Sequence, residues 1–284
     1  MAPEPVGSIA SRENFKEKKV AVVGGDSLLG QAIAEEFRLA GGKVCAIGTE
    51  EASCDVIIKD YMDLEDTKDG CKQALEVLGG QIDVLVNAAG GISQGMGYSE
   101  MPKIAQQNLI SAQMCSELLA PELAKSEIGN IVNVGGALGS KLKMPGALLD
   151  YGVAKCGVAT LTRNHALQFA PKVRCNVVLF GPFEGDPVLA QLAGHDKSKE
   201  KALMETAANG TLLKRLGTPQ EIAAAVFYIA TQEGATGTEI VLDGGACLTH
   251  WVNHPMEGLV GVMPEKLPMG LLENNGNKKR KAGA

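Results

Sequence analysis

"VAVVGGDSLLGQAIA", residues 20–34, decides how the rest of the chain is read. The apolar run Val20 to Val23 stops at Gly24 and Gly25, and the apolar pattern that resumes at Leu28 takes helical spacing past Gly30. A run without polar alternation suits a strand buried on both faces, and the residues after it read as a tight turn and a helix. Glycine in the turn lets a ligand come close to backbone, and a helix opening near Gly30 directs its N-terminal dipole at an anion seated there. Two glycines describe a plain turn as well as a nucleotide cradle, so the neighbouring segments have to arbitrate.

Those segments alternate. Short runs rich in Val, Ile and Leu recur at 19–23, 43–47, 55–58, 82–86, 130–134, 173–180 and 239–242. Helix-length segments lie between most of them, at 29–40, 64–78, 101–125, 152–170 and 219–231. The stretch "GTEEASC" at 48–54 is too short for a full helix. Alternation with right-handed crossovers predicts an α/β fold, a doubly wound parallel sheet of the Rossmann type, in a single domain. That domain spans 19–245, behind a flexible leader at 1–18 and ahead of a C-terminal extension at 246–284 that ends in a basic tail.

Composition narrows the function classes. The chain has 284 residues, 45% of them hydrophobic, and no apolar stretch approaches the roughly 20 residues that a membrane span needs. The leader lacks the features of a secretory signal or a transit peptide, which predicts a cytoplasmic protein. A net charge of -6 argues against nucleic acid as a partner, and the one basic cluster, "KKRK" at Lys278 to Lys281, reads as a solvated tail or a nuclear-localisation signal. Seven scattered cysteines without a C-x-x-C pair suit free thiols in a reducing compartment. His250 and His254 have a zinc-compatible spacing but no third ligand, so no metal site is expected.

In such a sheet ligands bind beyond the carboxyl ends of the strands. Gly24 and Gly30 follow the first strand, Asp60 the third, Asn87 and Gly90 the fourth, Gly135 and Gly136 the fifth, and Gly181 the sixth. After the fifth strand comes "DYGVAK", with Tyr151 and Lys155 four apart and so on one helix face. A neighbouring ammonium stabilises a phenolate, which makes tyrosine an acid or base usable nearer neutral pH. That is the proton half of a carbonyl reduction.

With these residues in this order, the chain from Lys19 to Gly245 resembles the short-chain dehydrogenase/reductase family. "GGDSLLG" is similar to its glycine turn, "KDYMD" to its adenine-side aspartate, "VNAAG" to its Asn-Asn-Ala-Gly segment, and "QQNLI" to its helix asparagine. "YGVAK" matches its Tyr-x-x-x-Lys, "RLGTPQEIA" the approach to its last helix, and "LDGG" its last strand. The resemblance implies an oxidoreductase moving hydride between a nicotinamide dinucleotide and a carbonyl or alcohol substrate. In it Tyr151 is the general acid/base, Lys155 holds the nicotinamide ribose and tunes Tyr151, and Asn108 supports a proton relay. It also implies cofactor contacts from Gly24, Ser27, Leu29, Gly30, Thr49, Asp60, Asn87, Gly90, Tyr151, Lys155 and Gly181, and a homodimer or homotetramer built on the helices that carry Asn108 and Tyr151.

The departures are specific. Leu28 replaces the middle glycine of the turn, Ala88 the second asparagine of its segment, and Phe180 the proline before Gly181. Gly136 aligns with the catalytic serine; Ser140 is either its substitute or a loop serine. Losing one oxyanion donor typically costs about a hundredfold or more in rate. The second strand ends in Gly48 and Thr49 without the usual aspartate, which favours NADP, although no arginine is there for the phosphate and Asp26, Glu50 and Glu51 leave NAD possible. Residues 182–212 read as a substrate lid. Two rival readings are a family fold turned to non-redox catalysis and a non-catalytic binding or structural subunit.

Overall fold

The computed structural model describes residues 15–92, 100–137, 141 and 148–249. Strands β1 (Lys19–Val23), β2 (Lys43–Gly48), β3 (Val56–Ile57), β4 (Val84–Asn87), β5 (Asn130–Gly136), β6 (Arg174–Phe180) and β7 (Glu239–Leu242) form one seven-stranded sheet in the order β3-β2-β1-β4-β5-β6-β7. All pairings are parallel, with Val20 opposite both Val44 and Val84. The apolar runs become strands because helices cover both faces of the sheet, so alternate side chains on each strand enter two different cores. On β1, for example, Val20 and Val22 pack into one and Ala21 and Val23 into the other.

The helices are α1 (Leu28–Leu39), α2 (Leu64–Val77), α3 (Met101–Ala105), α4 (Ser111–Leu123), α5 (Leu149–Phe169), α6 (Pro187–Leu192), α7 (Lys197–Gly210) and α8 (Pro219–Thr231). Helix α8 starts where the sequence places it: Thr218 and Glu221 form a capping box and Pro219 takes the first turn. The single helix expected over 101–125 is interrupted by a π-helical turn, Gln106–Ile110, which contains Asn108. The substrate lid expected at 182–212 holds two helices, α6 and α7, capped by Asp186 and Asp196.

The leader expected over 1–18 contributes to the core at its C-terminal end. Phe15 is buried, and its ring lies 5.4 Å from Phe37 on α1 and 5.1 Å from Phe227 on α8. Lys278 to Lys281 and the pair His250 and His254 lie outside the described residues. Among the described residues, no helix is long and apolar enough to cross a membrane, and no cluster of His, Cys, Asp and Glu is arranged to hold a metal ion.

Candidate active site

The strand order reverses between β1 and β4, and their carboxyl ends open the crevice where α/β sheets bind ligands. Gly24, with φ of +84°, closes its first edge; a Cβ there would lie 2.6 Å from the Ala89 nitrogen, so only glycine lets the two strand ends come this close. Ser27 caps α1: its hydroxyl accepts from the Gly30 N–H at 2.9 Å and donates to the Gly24 carbonyl at 2.8 Å. The turn is thus fixed by its own hydrogen bonds.

A cavity of about 430 Å³ occupies the crevice, lined by Gly24, Asp26, Ser27, Thr49, Asp60 and Gly90, with Lys59, Tyr61, Lys103 and Gln106 also on its wall. Its size is that of a small-molecule site. Asp60 accepts from the Met62 N–H at 2.8 Å and from the Gln106 side-chain amide, which ties the loop after β3 to the π turn. The glycine cradle and the polar wall suit an adenosine nucleotide with its phosphates at the start of α1.

Tyr151 and Lys155 stand on one face of α5, buried to 5% and 3% exposure. The Lys155 ammonium lies 5.8 Å from the Tyr151 ring centroid and donates to the Val134 carbonyl of β5 at 3.3 Å. Asn108 joins them across the crevice. A Cβ on Gly90 would stand 2.6 Å from Asn108 Oδ1 and 2.7 Å from Lys155 Nζ, so this glycine marks where both side chains meet the end of β4. Asn108 donates to the Gly91 carbonyl at 2.7 Å and to the Ile104 carbonyl at 2.8 Å, and accepts from the Gly91 N–H at 3.1 Å. π turns are often found at functional sites, and this one turns the asparagine inward.

Electrostatics at the pair correct one expectation. Burial, with a smaller contribution from Asp186, holds the Tyr151 phenol well above the usual tyrosine range instead of drawing it towards neutrality. Burial likewise pulls Lys155 down to about 8, opposed by Asp186, and raises Asp186 to about 6. Asp186, 9% exposed, caps α6 by accepting from the Val188 N–H at 2.9 Å, while Val188 packs with Tyr151 and Ala154. The carboxylate beside the pair was not foreseen; its only sequence signal was an aspartate before Pro187, the signature of a helix start.

Three of the expected cofactor residues also hold structural positions. Asn87 is buried and donates to Asn133 Oδ1 at 2.8 Å and Ser116 Oγ at 3.0 Å, holding β4 to β5 and α4. Leu29 turns its side chain into the core. Gly181 packs against the backbone of Asp243, where a Cβ would come within 2.7 Å, and lines a separate small cavity beside β7. Gly24, Ser27, Thr49, Asp60 and Gly90 do line the cavity. Ser140 lies outside the described residues, and Gly136 ends β5 opposite Phe180.

Leu28 is the first residue of α1 and is 48% exposed; its Cδ2 stands 2.6 Å from where a Cβ on Gly185 would be. The isobutyl group therefore bridges the glycine turn and the loop after β6. Leu28→Gly is expected to tighten dinucleotide binding about threefold to tenfold, since 1.4 kcal/mol is a factor of ten in affinity, while lowering the melting temperature by a few degrees through the loss of helix propensity. Titration of both proteins with NADH tests this; unchanged affinity would show that the side chain is accommodated where it stands.

Comparisons with known proteins show the family. A family model described as enoyl-(acyl carrier protein) reductase matches residues 25–247. The 3-oxoacyl-(acyl-carrier-protein) reductase of Vibrio cholerae is 32% identical over 249 residues, covering 81% of this chain and 97% of its own. The 7alpha-hydroxysteroid dehydrogenase of Bacteroides fragilis is 28% identical, covering 81% and 95%. Among solved structures, the ligand-free aldohexose dehydrogenase of Thermoplasma acidophilum superposes with a TM-score of 0.75 at 29% identity, covering 83% of this chain and 96% of its own. Glycine turn, switch-point crevice and Tyr-Lys helix, with a family match over most of the domain, place the chain in the short-chain dehydrogenase/reductase family of NAD(P)-dependent oxidoreductases.

Proposed function

We propose that this chain reduces a carbonyl, or oxidises the corresponding alcohol, with Tyr151 exchanging the proton. The observation that carries the reading is the buried Tyr151–Lys155 pair, whose Lys155 meets Asn108 at Gly90. The nicotinamide dinucleotide supplies or accepts the hydride. Tyr151, kept protonated by burial, is suited to donate its phenolic proton to the oxygen of a carbonyl as that oxygen gains negative charge. Lys155 stabilises the phenolate left behind and offers its ammonium to a ribose hydroxyl. Asn108, fixed by Gly91 and Ile104, orders the path by which the phenol regains its proton from water. Gly136 supplies no hydroxyl to the substrate oxygen; Ser140 is the candidate for that place.

NADP is the cofactor supported by the missing aspartate at the end of β2, whereas the Asp26 carboxylate beside Thr49 supports NAD. A homodimer or homotetramer is supported by exposed Leu149 and Val153 on the helix that carries Tyr151. Names of relatives span 3-oxoacyl-(acyl-carrier-protein), a hydroxysteroid and an aldohexose, so the substrate class proposed is a carbonyl or secondary alcohol. The test is to titrate the protein with NADH and NADPH, following nicotinamide fluorescence and thermal stability, and then to screen a 3-oxoacyl thioester, a hydroxysteroid and an aldohexose. Micromolar binding of either nucleotide is expected. No binding of either at millimolar concentration would remove the redox reading and favour a non-catalytic or non-redox role.

A further inference from the structure

At the end of β2 the cavity wall already contains an anion. Asp26, two residues past Gly24 in the glycine turn, reaches across to Thr49 and accepts two hydrogen bonds on one carboxylate oxygen: from the Thr49 N–H at 2.8 Å and from the Thr49 hydroxyl at 2.9 Å. Gly48 makes the approach possible, because a Cβ there would stand 2.6 Å from Asp26 Cγ. Asp26 and Thr49 both line the cavity. A residue 23 positions away in sequence therefore brings a carboxylate to the strand end that itself carries none.

We propose that Asp26 reads the adenosine ribose and selects the dinucleotide whose 2′-hydroxyl is free, NAD(H) over NADP(H). This rests on the reading of the crevice as a dinucleotide site. A vicinal diol donates to a carboxylate, so a free ribose finds an acceptor in the remaining lone pairs of Asp26. A 2′-phosphate meets a like charge at close range, and the two Thr49 donors that would serve it are already taken. Discrimination here comes from repulsion as much as attraction. Lys59 and Lys103 also line the cavity and would draw a phosphate. Lys59 adjoins Asp60 on the loop after β3 and Lys103 lies on α3, whereas Asp26 and Thr49 are joined to each other at the end of β2.

The experiment is a titration of the full chain and of Asp26→Ser and Asp26→Asn with NADH and NADPH, read by nicotinamide fluorescence and by the shift in melting temperature. Both variants remove the charge; asparagine keeps the shape, and the melting curves without nucleotide establish that each variant is folded. The native chain is expected to bind NADH at least about tenfold tighter than NADPH, and each variant to narrow or reverse that ratio by at least about tenfold. A native preference for NADPH, or a ratio unchanged in both variants, overturns the role of Asp26 while leaving the dinucleotide site intact. Binding of neither nucleotide by any of the three proteins overturns the dinucleotide reading and this inference with it.

Discussion

Tyr151→Phe is expected to lower turnover by about 10³-fold, within the 10²- to 10⁴-fold range that a positioned general acid contributes, equivalent to about 4 kcal/mol of barrier. The substitution removes one oxygen from a ring buried against Ile104, Ala154 and Val188 and leaves that packing in place. Nucleotide affinity and melting temperature should therefore change little. The readout is kcat on whichever carbonyl substrate the screen identifies, compared with NADH and NADPH binding by the same preparation. A variant that keeps full turnover would show that another group moves the proton, and Asp186, buried next to the pair, would be the first to substitute. Collapse of both binding and melting temperature would instead mark the phenol as structural.

Gly30→Ala is expected to damage the fold and the cradle together. A Cβ at residue 30 would stand 2.0 Å from the Gly24 carbonyl oxygen and 2.7 Å from its carbon, and both are backbone atoms of the turn that cannot rotate away. Ordinary overpacking costs about 1–3 kcal/mol, and a clash this close should reach or exceed the upper end. For a domain of this size that is a fall in melting temperature of roughly 6–12 °C. The hydrogen bond from Gly30 to Ser27 would be displaced with it, so nucleotide binding should weaken in the same variant. Gly234→Ala is the matching control, since a Cβ there meets nothing within 4 Å. Equal melting temperatures for the two variants would show that the turn yields where its geometry says it cannot.

Much of the architecture was legible because it is local. Strands buried on both faces must be apolar throughout, and the run at 19–23 coincides with β1, whereas the run at 239–242 becomes the half-exposed edge strand β7. The pairing of Tyr151 with Lys155 follows from helical spacing alone. Features that depend on distant residues were not readable in this way. Asp26 and Thr49 meet only because β1 and β2 are neighbours in the sheet, and Asp186 reaches the Tyr151–Lys155 pair only because α6 folds over it. Asn87 donates its amide hydrogens to partners on β5 and α4 that lie far from it in sequence. Phe15 falls within the expected flexible leader, and its burial depends on Phe37 and Phe227, which only the fold brings to it.

The π turn at Gln106–Ile110 has a further meaning for how the chain can change over time. Its bonding, with the Ser111 N–H donating to the Gln106 carbonyl five residues back, amounts to one surplus residue lodged in an otherwise ordinary helix. Deleting a residue here would give a more regular helix, yet it would rotate the segment before the turn by roughly 100° relative to α4 and carry Asn108 off Gly91. Regularity and the inward asparagine are therefore alternatives.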